Sequence, residues 1–310
     1  MKKPSYDPGL TQQYSPKLRR AIRKDGEFNV RRHGTTWQDI HPYLYFINKS
    51  WPTFFGLMFA SFIAVNLLFA MTYYCIGVEH LQGAAAPTAW GRFLNAFFFS
   101  SQTLTTVGYG VLAPKGVLVN LIASFEAMIG LMGFAIATGF LVGRVSRPSA
   151  RMGFSKSMII APYQDGTSLQ FRVVNRSMSN LMELEASVML MTVETVDGQL
   201  RRKFDRLELE REGVLFLALT WTIVHPIGSD SPLFGKTAAD LERMQAEVLI
   251  LIKGMDDTFS QIVHARYSYR YDEIVWGAKF APAFEIDKKG SIRLEVDRVS
   301  DFIKVPPLDQ

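Results

Sequence analysis

Cysteine is almost missing: Cys75 stands alone among 310 residues, so no disulfide can form within the chain. At the end of an apolar stretch it reads as a small packing residue, compatible with an intracellular soluble part. The five histidines show no ligand spacing, and His225 and His264, both in strand-like segments, read as structural and not metal-binding. No nucleophile, base and metal constellation appears, which argues against an enzyme. No GxGxxG follows a strand, which argues against a nucleotide-sensing Rossmann domain. The net charge of +5 and pI of about 9.2 come without any nucleic-acid motif, so no nucleic-acid partner is expected. Charge is nearly absent from two long apolar runs, and the connection between them carries only Glu79, Arg92 and Lys115.

Those runs extend from Trp51 to about Val78 and from about Val117 to Gly143, each longer than the roughly 20 helical residues that cross a hydrocarbon core. The first is no signal peptide: some fifty polar residues precede it, and it exceeds an h-region of roughly 7 to 15 residues. A mean hydropathy of +0.08 is too apolar for an ordinary soluble chain and too polar for a wholly embedded one, so a membrane part and a soluble part are implied. Lys2, Lys3, Lys17, Arg19, Arg20, Arg23, Lys24, Arg31, Arg32 and Lys49 precede the first run, and Arg144, Arg147, Arg151 and Lys156 follow the second. Positive residues mark the cytoplasmic side, which puts both termini on the cytoplasmic side of a cell membrane and opens the loop between the runs outward.

Residues 1–36 are polar and aperiodic and read as a mobile cytoplasmic tail. Ile40, Tyr43, Leu44, Ile47 and Trp51 then recur at helical spacing, so residues 37–50 read as an amphipathic helix. It either lies flat on the inner membrane surface or packs on the soluble domain. Residues 51–145 read as a transmembrane pore domain: helix 51–78, a re-entrant pore helix 90–104 too short to cross, a filter at 105–110 and helix 117–143. From 146 to 310, period-two patterns separated by Asp165-Gly166, Asp197-Gly198 and Lys289-Gly290 read as an antiparallel β-sandwich, with only Thr237 to Gln245 helical.

Thr105 to Gly110 reads TTVGYG, which matches the potassium filter, where carbonyl oxygens from four copies replace the hydration shell of K⁺. Gly108 and Gly110 relieve the backbone conflict that such a carbonyl arrangement creates. K⁺ is thus expected at Thr106, Val107, Gly108, Tyr109 and Gly110, with Val107 and Tyr109 pointing away from the ion path; no other metal or cofactor is expected. Helical phase gives a pore-facing stripe from Leu131 through Phe134 or Ala135 to Thr138 and Val142. Apolar residues at the inner end, Phe140, Leu141 and Val142, are gate candidates, because an apolar ring blocks ions by dewetting. Gly139 is a plausible hinge, against the simpler reading that the glycines of this helix serve packing.

Further motifs carry a resemblance. TIVHPIGSDSPLF at Thr222 to Phe234, then ADLERM, EVLILIKGMDDTF and RYSYRYDEIVWGAKF resemble, in order and spacing, the inward-rectifier potassium channel family from about Trp37 to Val305. The compact length, and Phe134 where strong rectifiers carry an acid, look like its bacterial branch. The resemblance implies a homotetramer with an immunoglobulin-like cytoplasmic vestibule, passive K⁺ conduction, and weak trapping of polyamines or Mg²⁺, with Ba²⁺ as a further blocker. Gln102 stands where many members place a glutamate, so an ion pair behind the filter is not available in that form. Glu126 either braces the pore mouth or is solvated there. Lys49, Arg144, Arg147 and Arg151 form a basic collar suited to anionic lipids, phosphoinositides in this family, at roughly 1 kcal/mol per residue. Asp197, Asp256 and Asp257 match positions where the family places acids facing the vestibule; solvated loop acids are the alternative. The competing functions are a potassium transporter subunit, which would need several filter repeats, and a membrane-anchored binding or sensor protein, which leaves TTVGYG unexplained.

Overall fold

The computed structural model describes residues 9–13, 20–31, 33–34, 42–146 and 151–305. They divide into two compact units, one of residues 32–147 and one that joins residues 1–31 to 148–310.

In the first unit, α1 (Pro42–Asn48) precedes α2 (Trp51–Ile76), α3 (Ala89–Leu104) and α4 (Val117–Val145). Residues 37–41 of the expected interfacial helix lie outside the described residues. Ser50 caps α2 by accepting from the Thr53 amide, and Pro52 sits in its first turn, where no amide donor is needed. Gly77, at φ +115°, ends α2 two residues before the apolar run ends. Both α2 and α4 are long and apolar enough to cross a membrane. The sixteen residues of α3 span only about 24 Å, less than a hydrocarbon core. Two short strands, β1 (Leu81–Gln82) and β2 (Ala113–Pro114), pair across the loops that flank α3, and the Lys115 amide donates to the His80 carbonyl. Phe69, Tyr73, Leu81, Ala96, Phe99, Val119 and Ala123 form the core of this unit, at the filter end of the helices.

The second unit is a two-sheet sandwich. Its strands are β3 (Met152–Phe154), β4 (Met158–Tyr163), β5 (Gly166–Asn175), β6 (Leu181–Val196), β7 (Gln199–Leu207), β8 (Gly213–Phe216), β9 (Thr220–Ile227), β10 (Glu247–Asp256), β11 (Gln261–Arg270) and β12 (Ile274–Trp276). One sheet runs β11-β10-β6-β7, with β8 also on β6; the other runs β12-β4-β5-β3, with β9 on β5. All these pairs are antiparallel except β12 with β4, a departure from the purely antiparallel expectation. Alternate residues such as Leu169, Phe171 and Val173 on β5 and Val248, Ile250 and Ile252 on β10 meet in the core between the sheets. The β-rich stretch from Leu215 to Val224 is divided between β8 and β9, and the expected helix narrows to α5 (Ala238–Arg243), capped by Thr237 and Asp240. Four short strands complete the unit: β13 (Ala278–Phe280) pairs β16 (Phe302–Lys304), and β14 (Phe284–Ile286) pairs β15 (Ile292–Leu294).

The stretch expected as a mobile tail is in part built into this sandwich. Ile22 is 4% exposed, packed against Met189 and Leu249 on the outer face of the β10-β6 pair. Both oxygens of the buried Glu247 carboxylate accept from the Ala21 amide (3.0 and 3.1 Å), and Ser268 Oγ donates to the Ile22 carbonyl (2.8 Å). Arg20 and Lys24 pair with Glu273 at 3.1 and 2.5 Å. Burial of one isoleucine, a carboxylate that accepts a backbone amide, and two ion pairs to Glu273 together hold a segment that has no periodicity of its own.

Candidate functional site

The TTVGYG segment begins where α3 ends, and its backbone turns back on the helix. The amides of Thr106, Val107 and Gly108 donate to Thr103 and, twice, to Gln102 carbonyls at 3.0, 2.9 and 3.2 Å. In a planar trans peptide the carbonyl of the preceding residue points opposite to the amide. The carbonyls of Thr105, Thr106 and Val107 therefore face away from α3, as ion ligands must. The same bonds satisfy the Gln102 and Thr103 carbonyls at the end of α3.

Positive φ recurs at every second residue: Thr106 (+58°), Gly108 (+56°) and Gly110 (+79°). Alternating handedness rotates successive peptide planes so that their oxygens can share one side. Glycine accepts this at little cost, whereas a β-branched threonine pays about 1–2 kcal/mol. The strain at Thr106 escaped the sequence reading, and only an expectation of strict alternation through the motif would have found it.

Gln102 is buried, and its Nε2 donates to the Leu112 carbonyl at 3.2 Å, tying the pore helix to the segment after the filter. A neutral hydrogen bond thus occupies the place where an ion pair is not available. Val107 and Tyr109 are 52% and 79% exposed, and they line an open cleft of about 650 Å³ with Phe98, Ser101, Gln102, Thr105, Val111 and Leu112. Within one chain, nothing packs behind their side chains.

Glu126 is fully buried, so its solvated alternative falls. Its two oxygens accept from the Ser100 and Tyr73 hydroxyls, at 2.5 and 2.6 Å. Asn66, Tyr73 and Ser100 were missed as partners; a lone asparagine inside an apolar run was the available signal.

On α4, Leu131, Phe134, Thr138 and Val142 fall within about 80° of one another at about 100° per residue, and all are exposed. Leu141 is 37% exposed beside them. Phe140 lies on the opposite side and is withdrawn from the gate candidates, because its ring packs on Phe46 (5.2 Å between centroids) and Tyr43 (6.0 Å) of α1. Gly143 gives the Tyr43 hydroxyl its room, and a Cβ at Gly130 would strike the Leu104 carbonyl. Gly139 has no atom near where a Cβ would stand, and α4 runs through it unbroken.

Arg144 is also redirected. Its guanidinium donates to the carbonyls of Phe46 (3.4 Å), Ile47 (2.9 Å) and Lys49 (2.5 Å), capping α1, and lies over the Trp51 ring. These bonds compete with any head group for the same donors. Lys49 places its ammonium over Tyr45, and Arg151 is exposed in the other unit. Arg147 lies outside the described residues.

In the sandwich, Asp197 is an exposed turn residue at φ +52°, and Asp257 is exposed after β10. Asp256 is not a free vestibule acid: it is 1% exposed and accepts from Ser179 Oγ (2.6 Å) and the Thr258 and Phe259 amides (3.0 and 3.2 Å). A carboxylate so committed shapes the β10-β11 turn. His225 is buried between the Glu208 carbonyl (2.5 Å) and Ser231 Oγ (2.8 Å), and burial holds its pKa below the usual imidazole value despite that carbonyl. Among the described residues no His, Cys, Asp and Glu group is arranged to hold a metal.

Residues 152–309 match the inward rectifier potassium channel C-terminal domain, and residues 54–147 match the ion channel family. The chain is 34% identical over 287 residues to inward rectifier potassium channel Kirbac3.1 of Paramagnetospirillum magnetotacticum, covering 91% of this chain and 95% of that one. It is 25% identical to ATP-sensitive inward rectifier potassium channel 12 of Gallus gallus, over 93% and 72% of the two chains. It is 27% identical to ATP-sensitive inward rectifier potassium channel 11 of Homo sapiens, over 90% and 75%.

Proposed function

The chain belongs to the inward-rectifier potassium channel family, in its bacterial branch, and from that premise we propose that it forms a homotetramer conducting K⁺ passively along its central axis. The observation that carries this reading is the filter backbone: three amides turned to α3, and positive φ at Thr106, Gly108 and Gly110. Four copies supply the oxygens that one copy cannot, and neighbouring copies cover Val107 and Tyr109.

Conduction is gated where the inner ends of four α4 helices converge, with Val142 narrowest, Leu141 beside it and Gly139 as the bend. Phe134 leaves the cavity stripe without a carboxylate, so polyamines and Mg²⁺ are held weakly and rectification is weak. The basic residues on either side of the spans set both termini and the sandwich in the cytoplasm. Asp197 and Asp257 add negative potential to the vestibule that the sandwich encloses. Lys49, Arg147 and Arg151 attract anionic lipid, phosphoinositides included, and Arg144 contributes by holding α1 at the collar.

Reconstitution into liposomes tests the reading. K⁺ and Rb⁺ flux that excludes Na⁺ and is blocked by Ba²⁺ is expected, and phosphoinositide in the bilayer is expected to change its rate. Flux coupled to a second ion would instead indicate a transporter.

A further inference from the structure

A carboxylate buried among membrane-crossing helices is expensive, and among the described residues Glu126 has no cationic partner. Its two hydrogen bonds reach two different helices. Tyr73 belongs to α2 and Ser100 to α3, so one side chain of α4 joins that helix to both α2 and α3. Ser100 is itself fully buried, and its Oγ lies 3.2 Å from Oδ1 of Asn66, another fully buried residue of α2 whose Nδ2 donates to the Phe62 carbonyl. The cluster is closed: each buried polar side chain in it has a partner.

A second contact stands one helical turn further along. Gly130 of α4 lies against the backbone of Leu104, so closely that a Cβ would collide with its carbonyl. Glu126 and Gly130 are four residues apart on α4, as Ser100 and Leu104 are on α3, so the two helices are docked along one shared face. Leu104 is the residue before the TTVGYG segment, and Gln102, between the two contacts, accepts the amides of Val107 and Gly108. The position of α3 relative to α4 is therefore the position of the filter's root.

We propose that Glu126 is a positioning residue for ion selectivity: through Ser100 and Tyr73 it fixes α3 against α4 and α2, and so sets where the filter carbonyls stand. This rests on the channel reading above. Residues that orient the groups holding an ion typically alter ion affinity by about 10- to 100-fold when removed, without touching the ion.

The experiment compares the full-length wild type with E126A, E126Q, S100A and Y73F, each checked for tetramer assembly on a native gel and reconstituted for K⁺ and Na⁺ flux. E126A and S100A are expected to lower the K⁺ to Na⁺ permeability ratio about tenfold or more. E126Q, which keeps an acceptor and the volume, is expected to retain most of it, and Y73F to fall between. A packing role alone would reduce the yield of tetramer and leave the ratio of the assembled fraction unchanged. A wild-type ratio in assembled E126A overturns the proposal; if E126A does not assemble, a wild-type ratio in both S100A and Y73F does so. A wild-type chain without preference for K⁺ would overturn the channel reading itself and the brace with it, and is recognised by the control alone.

Discussion

The ring of Phe140 lies nearly parallel to that of Phe46, 5.2 Å away and inclined by 17°. A residue at the inner end of α4 is thereby joined to the helix that precedes the first span. Its apolar ring made Phe140 a gate candidate; its actual partner makes it a fastening for α1.

The two roles separate by mutation. V142S is expected to raise K⁺ flux about tenfold, a change of about 1.4 kcal/mol in an opening equilibrium where the open state is rare. F140A is expected instead to release α1, seen as faster labelling of a cysteine introduced at Tyr45, which is already half exposed. Unchanged flux in V142S would remove Val142 from the gate.

An acid returned to the α4 stripe should restore voltage-dependent block. F134E places a carboxylate on the exposed face shared by Leu131 and Thr138. Internal Mg²⁺ or spermine is expected to block this variant at least tenfold more tightly than the wild type, since opposite charges attract strongly in a low-dielectric cavity. Equal block in patch recordings would place Phe134 away from the pore.

The neighbouring aspartates of the β10-β11 turn should behave differently. D256A leaves Ser179 Oγ and two amides without their acceptor and is expected to destabilise the sandwich by about 2–4 kcal/mol, measured by thermal unfolding. D257N is expected to be neutral in that measurement and to lower K⁺ conductance at low ionic strength, where screening is weak. Loss of conductance without loss of stability in D256N would restore Asp256 to the vestibule.

The N-terminal anchor carries a defined pH dependence. Burial alone would raise the Glu273 pKa, but the Lys24 ammonium, the Arg270 amide and the Arg20 charge hold it below the usual carboxylate value. Its contribution is therefore full above the unfolded-state value of about 4.3 and is lost as the pH falls through the lower folded value. Hydrogen exchange at the Ala21 amide should be flat in this respect from about pH 8 to 5. E273Q should exchange up to about fivefold faster, a modest figure because Lys24 is 43% exposed and solvent screens the pair.

Much of this architecture was legible because membranes and sandwiches impose long or strict periods. Twenty-six and twenty-nine apolar-rich residues cannot be hidden in a chain of this length, and TTVGYG is nearly unmistakable in that setting. What escaped was carried by single polar side chains. β7, QLRRKFDRL, carries no period-two pattern because it is an edge strand that gives only Leu207 to the main core, so its other residues have no reason to alternate in hydrophobicity. Asp256 and Arg144 were each given an audience outside the chain, permeating cations and anionic lipid, and Glu126 was left between bracing the pore mouth and solvent. Apart from the Thr258 and Phe259 amides beside Asp256, their actual partners lie 26 to 98 residues away in sequence, a distance that no local pattern encodes.

The seating of Ile22 against Met189 and Leu249 also sets the order in which the molecule can be made. The sandwich receives its first piece before either span has been synthesised and its last after both. During translation, Arg20 to Phe28 must wait through more than a hundred residues of membrane insertion before the sheet that receives them exists. Until then Ile22 has no pocket, and the Glu247 carboxylate lacks the Ala21 amide that it accepts in the finished fold. A sandwich expressed from residue 148 onward therefore begins life with an open seam, and supplying residues 20–30 as a separate peptide should close it.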